Sequence, residues 1–181
     1  MKNFEENLEN YIELFDIEKQ LFKNGEIWKQ KGYLEKSEFL QICLWKSRRP
    51  KKFYEQNSEK EIIKITNQTF QETSEIIKIE LLTKLKGVSI PTASAILSVT
   101  DPKNYPIIDI RCVETLQDLK LITWENISVK NWIEYLKIVR NLSNKHNKNA
   151  REIEKGLFAY NRIKLDKINQ NLYRTKKLQV T

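Results

Sequence analysis

Apolar residues recur at intervals of three and four along most of this chain, the spacing of one face of an α-helix. Phe4, Leu8, Tyr11, Ile12 and Phe15 share such a face and predict an amphipathic helix from residue 3 to about 18. Asn24-Gly25 and Lys31-Gly32 read as the next breaks. A second helix is expected over Lys36 to Lys46, with Phe39, Leu40, Cys43 and Leu44 inward and a stop before Pro50. Ser58 with Glu61 reads as a capping box for a third, burying Ile62 and Ile65. Thr73 or Ser74 can cap a fourth, striped by Ile77, Leu81 and Leu85.

The pattern then changes. Gly87 interrupts it, and a short fifth helix is expected from about Pro91 to Val99. Thr100 to Pro106 is a turn-rich connector. Asp109 stands at the edge of a sixth helix, Ile110 to about Leu119. Ser128 opens another, with Trp132, Tyr135, Leu136 and Val139 inward, and Asn149 starts the last. The tail from Arg174 has no clear periodicity and is expected to fray. Eight or nine helices with no strand pattern predict an all-α protein. The 4 Gly and 4 Pro among 181 residues also argue against a turn-rich β-sandwich. No internal repeat or linker divides the chain.

Composition removes several functions. No apolar run approaches the roughly 18 residues of a membrane span, and the acidic, amphipathic start is unlike a secretory signal. The two cysteines, Cys43 and Cys112, are too few for a disulfide framework or an iron–sulfur cluster and fit a reducing, cytoplasmic setting. One histidine, His146, leaves no basis for a His-based triad or a zinc site. The net charge of +8 is uneven: residues 1–40 carry six basic and nine acidic side chains, leaving +11 on the rest. That bias favours a polyanion such as nucleic acid, although lysine-rich composition produces the same charge without a partner.

A helix that ends at Gly87 and restarts at once exposes the first backbone N–H groups of its successor. With the positive end of the helix dipole they form an anion site that needs no charged side chain. Ser89 or Ile90 would be the cap, Pro91 fits the first turn, and Gly87 lets a phosphate approach. Thr92, Ala93, Ser94 and Ala95 are small enough for close helix packing.

The segment "LLTKLKGVSIPTASAIL" followed by "YPIIDIR" resembles the helix-hairpin-helix of the base-excision DNA glycosylases, the endonuclease III-like group. Leu85, Gly87, Val88, Thr92 and Ala93 occupy the hairpin positions, and Asp109 follows Ile107 and Ile108 where that family carries its essential carboxylate. The match covers about 30 residues strongly. Ser89 stands where a second hairpin glycine is usual. Pro91 takes the place of the lysine that forms a Schiff base in bifunctional members, so no lyase route starts from that position. The iron–sulfur cysteines are missing, and the stretch from Trp45 to Leu82 is shorter than in familiar members.

The resemblance implies a single domain, 1–181, of two helical lobes. One would span 35–105 and contain the helix-hairpin-helix at about 74–99; the other would combine 1–34 with 106–181. It implies a monofunctional DNA glycosylase of base excision repair, with Asp109 stabilising the sugar cation and handling the attacking water. Asp109 is equally a favoured helix cap, and the two roles are compatible. Lys86, Gly87, Val88, Ser89 and Thr92 would contact the backbone of double-stranded DNA. No organic cofactor is implied, no metal beyond a monovalent cation at the hairpin, and no membrane or obligate protein partner.

"LWKSRRPKKFY" places Lys46, Arg48, Arg49, Lys51 and Lys52 between Trp45 and Phe53-Tyr54, either tracking phosphates, placing a wedge in a duplex, or forming a solvated loop. Arg111 faces the cleft or a helix-end carboxylate. Trp132 and Tyr135 read as core; Trp124 and Tyr160 are candidate base-stacking walls against the same reading. His146, in a polar inter-helix loop, is expected to be exposed and idle. Two other functions remain: a non-catalytic DNA-binding module, and a helical protein-interaction domain whose charge is only composition.

Overall fold

A computed structural model describes the backbone of residues 2–9 and 18–178 and the side chains of 4–9 and 18–165. Among the described residues the secondary structure is entirely helical. In chain order the helices are α1 (Lys2–Glu6), α2 (Lys19–Lys31), α3 (Lys36–Lys46), α4 (Lys51–Tyr54), α5 (Glu59–Gln71), α6 (Glu75–Leu82), α7 (Ile90–Thr100), α8 (Ile110–Asp118), α9 (Val129–His146) and α10 (Ala150–Leu178). None is long and apolar enough to cross a membrane. The first predicted helix is described only at its start, where Phe4 and Leu8 are buried; its continuation over 10–17 lies outside the described residues.

Most predicted boundaries follow from local chemistry. Ser58, Ser74 and Ser128 each accept a hydrogen bond from the backbone N–H three residues on, closing the N-termini of α5, α6 and α9. Gly32 ends α2 in the left-handed conformation, φ +88°, which glycine adopts without steric cost. Asn149 and Glu152 exchange side-chain and backbone bonds at the start of α10.

Four expectations are corrected. Asn24-Gly25 is no break: Gly25 sits inside α2, where a Cβ would lie 1.9 Å from the carbonyl oxygen of Val99. The glycine is there so that α2 and α7 can touch backbone to backbone. The charged stretch after Pro50 folds into α4, with Tyr54 fully buried. Helix α10 runs to Leu178, into the tail expected to fray from Arg174. His146 ends α9 half-buried instead of lying in a loop, and its Nε2 is buried without a partner.

Helix α7 is the axis of the arrangement. All residues from Thr92 to Thr100 are buried, and α2, α3 and α6 pack around it. Helix α8 lies along α10, which α9 also contacts. One continuous apolar core joins residues from α1 to α10, with Trp132, Tyr135, Ile96 and Phe39 among its fully buried members.

Candidate functional site

The connector between α7 and α8 carries Asp109, and two buried hydroxyls hold it. Ser94, on α7, accepts from the Ile108 N–H at 3.1 Å and donates to Pro91 O. Tyr135, on α9, donates to the Ile107 carbonyl at 2.8 Å. These two bonds fasten the extended Ile107-Ile108 pair from both sides and set where Asp109 emerges. Tyr135 and Trp132 are fully buried, as core residues should be.

Asp109 does two things at once. Its Oδ1 accepts from the Arg111 backbone N–H and caps α8. Its Oδ2 lies 2.8 Å from Lys46 Nζ, at the end of α3. Both side chains are largely covered, 24% exposed for Asp109 and 16% for Lys46. Burial is the largest single influence on the Asp109 carboxyl and opposes its charge. Lys46, by charge and hydrogen bond, and the Arg111 N–H outweigh it and hold the carboxyl below its ordinary pKa. Asp109 is therefore a carboxylate at neutral pH, suited to stabilising positive charge and accepting a proton, and unsuited to donating one.

Beside this pair opens a pocket of about 110 Å³. Trp45, Lys46, Ile107 and Asp109 line one part of it; Glu18, Arg151, Glu154, Lys155 and Phe158 line the rest. Arg151 bonds Glu18 at 2.6 Å and also Glu154, and its guanidinium lies over the rings of Phe22 (5.0 Å) and Trp45 (5.8 Å). Its Nε is buried without a partner. The Cys112 thiol nearby is pushed up to about 12 by burial, so it stays protonated and unreactive. Glu18, Arg151, Glu154, Lys155 and Phe158 were not singled out from sequence. The available signal was the buried register of α10, in which Arg151 and Glu154 share the inward side with Ile153 and Leu157.

Among the residues expected to grip DNA, those of the basic turn and those around Gly87 adjoin each other. Between α6 and α7, Gly87 turns with φ +83°, and Phe53 and Tyr54 fill the space where its side chain would be: a Cβ would lie 2.9 Å from an atom of each. Gly87 thus serves first to let α4 dock on the hairpin. Asn57 fastens the two, accepting from the Lys86 N–H at 2.8 Å and donating to the Lys86 carbonyl at 3.0 Å and the Tyr54 carbonyl at 2.9 Å. Arg48, Arg49, Lys51 and Lys52 are exposed on this turn, and Lys84, Lys86 and Ser89 on the hairpin. Val88 and Thr92 are both buried, the Thr92 hydroxyl lying near those of Tyr54 and Ser89. Their side chains are structural, which leaves only their backbone for a ligand. Ser89 caps α7 by position, its hydroxyl meeting that of Thr92 and not a backbone N–H of the helix.

The Arg111 guanidinium lies 4.9 Å from the centre of the Phe158 ring, and Phe158 lines the Asp109 pocket. Tyr160 is half-buried edge-on to Phe4 and Trp124 is half-buried near α8, and neither borders the Asp109 pocket. Among the described residues no group of acidic, cysteine and histidine side chains is arranged to hold a metal. Comparison with family models, with curated proteins and with solved structures returns no match for this chain.

Proposed function

We propose that this chain is a helix-hairpin-helix DNA glycosylase of the monofunctional kind, hydrolysing the N-glycosidic bond of a nucleotide turned out of a duplex into the Asp109 pocket. One observation carries the reading: an ionised, largely covered carboxylate stands in a pocket at the end of α3, where the basic turn leading to the hairpin begins. The turn and hairpin then bind the phosphate backbone, and the pocket receives the base. The two-lobed division, 35–105 against the rest, follows from this reading, with the pocket on the line between α3 and α10.

At the reacting sugar the C1′–N bond breaks and its electron pair leaves with the base. Asp109 stabilises the positive charge that develops at C1′. It then orients a water whose oxygen bonds to C1′ and whose proton passes to the carboxylate. The pocket is smaller than the roughly 300 Å³ at which ligand sites usually begin, and Lys46 occupies Asp109 Oδ2. Entry of a nucleotide therefore moves Lys46 off Asp109, and the incoming phosphate offers that ammonium a new anion. Trp45, over which the Arg151 guanidinium lies, and Phe158, over which Arg111 lies, line the pocket that the base would enter.

A second reading rests on the same atoms: both Asp109 oxygens already have partners, as they would in a binding module where this residue is only a cap. Base release separates the two. The purified chain is incubated with labelled duplexes carrying a panel of damaged and modified bases and then treated with hot alkali, with Asp109→Asn in parallel. Strand breaks seen only after alkali and lost in Asp109→Asn support the glycosylase. Tight binding with no breaks across the panel supports the module. Absence of any salt-sensitive DNA binding supports a protein-interaction domain.

A further inference from the structure

The end of α9, the turn into α10 and the connector ahead of Asp109 enclose a cavity of about 500 Å³, far larger than the Asp109 pocket. Its volume falls within the roughly 300–1,000 Å³ of small-molecule sites. Lys103 on the connector, Arg140 on α9 and Lys148 on the turn bring cations to its wall from three elements. Ser143, Asn144 and Asn147 add a hydroxyl and two amides, and Asn104 and Asn149 complete the lining. No acidic, aromatic or aliphatic residue takes part. Acids are common in this chain, and the Asp109 pocket and the cavities beside Phe22 and Phe70 each include at least one carboxylate. Their exclusion here gives the cavity a chemistry of its own.

Part of the wall is fixed and part is unspent. Arg140 donates to Glu75 at 2.7 Å and to the Asn104 carbonyl at 3.2 Å, with its guanidinium 5.3 Å from the centre of the Tyr105 ring. That holds the fork in place and leaves its other N–H groups to a ligand. The first N–H groups of α10 are already used, because Ala150 and Arg151 donate to the carbonyls of Lys103 and Pro102. A ligand is therefore met by side chains and not by a helix end. Ser143 is buried and its carbonyl accepts from the Lys148 N–H, yet its hydroxyl has no partner. A buried polar atom left unpaired calls for a reason, and a bound molecule supplies one. Among the described residues the side chains of Lys103, Asn144 and Asn147 make no hydrogen bond or ion pair. Lys148 pairs with Glu9, which is 66% exposed, and so open a contact is readily exchanged for a bound anion.

Cations on three sides suit an anion of more than one charge, and a phosphoryl group carries about two at neutral pH. A nucleobase would find no ring here to lie against. Amides and a hydroxyl, which both donate and accept, suit hydroxyl groups instead. We infer that this cavity binds a small phosphorylated sugar or polyol, with the phosphoryl group between Lys103, Arg140 and Lys148 and the hydroxyls on Ser143, Asn144 and Asn147. The cavity shares no lining residue with the Asp109 pocket, so it stands whether or not the chain acts on DNA.

The test titrates the full chain, labelled with ¹⁵N, with ribose 5-phosphate, with ribose and with inorganic phosphate, and follows the amide resonances. Ribose 5-phosphate is expected to shift the amides of Lys103, Ser143, Asn144 and Asn147 and to bind roughly tenfold or more tighter than either of its parts. Lys103→Ala, which removes no side-chain contact within the fold, weakens that binding roughly tenfold by deleting one charged donor. Asn144→Asp, which sets a carboxylate in the wall, abolishes it. No shift of these amides at millimolar ribose 5-phosphate overturns the site, as does binding that both variants leave unchanged. Inorganic phosphate binding as tightly as the sugar phosphate overturns the sugar and leaves a simple anion site. A short duplex that shifts the same amides and displaces ribose 5-phosphate overturns the small ligand in favour of nucleic acid. Loss of the site by any of these routes leaves base release at Asp109 to be judged by its own assay.

Discussion

At the scale of the residue, Asp109 and the groups around its carboxyl decide what the site can do. An aspartate before a helical stripe is legible in a sequence as a cap, and it is one. Its other partner was not legible, because Lys46 lies 63 positions away and only the packing of α3 on α7 brings it near. The pair has a consequence for pH. Asp109 is held below its ordinary value, so its ionisation stabilises the fold above the unfolded carboxylate pKa, and that contribution is lost as pH falls through the lower folded value. Replacing Lys46 by Met removes the main opposing influence and leaves burial, which raises the pKa. In Lys46→Met the Asp109 carboxyl carbon, followed by NMR, is expected to titrate at higher pH than in the wild type, and the acid limb of stability should move up with it. An unchanged titration would mean that the ion pair is not formed in solution.

At the scale of the element, structure was legible in the sequence where one signal has one meaning. Ser58, Ser128 and the pair Thr73 or Ser74 predict three caps, and the three serines form them. Legibility failed where a signal has two. Glycine inside a helical pattern marks either a stop or a close approach, and nothing local tells them apart. Gly32 is the stop; Gly25 is the approach, set by the backbone of Val99 on a helix that lies 65 or more residues later in the chain. Gly25→Ala drives a methyl into a carbonyl that cannot step aside, so α2 and α7 must separate. The expected cost is about 3 kcal/mol, the upper end of ordinary overpacking, read as a lower urea midpoint with an unchanged m-value. A loss under about 0.5 kcal/mol would show that the two helices are not in contact as described. The same ambiguity hid the pocket wall on α10. Arg151 and Glu154 look like solvated charges on a surface helix, and only the positions of Glu18, Phe22 and Trp45 make them interior.

At the scale of the whole molecule, the all-α class was legible because helical periodicity covers nearly the entire chain. The meeting of the basic turn and the segment around Gly87 was only half legible. The basic run and the hairpin are each visible as strings, but their union depends on Asn57 and on the space over Gly87. What the molecule as a whole is claimed to do is hold a duplex by these two segments while Asp109 meets the sugar of a nucleotide turned inward. A pair of abasic analogues tests this without knowing which base is removed, because neither analogue carries one. A duplex containing a pyrrolidine, cationic where the sugar becomes cationic in base loss, is compared with one containing neutral tetrahydrofuran. Transition-state resemblance predicts tighter binding of the pyrrolidine duplex by about a hundredfold or more, with the preference lost in Asp109→Asn while tetrahydrofuran affinity stays the same. Equal affinity of the wild-type chain for the two duplexes, or a preference that survives in Asp109→Asn, would contradict the assignment of Asp109 as the carboxylate that faces the reacting sugar.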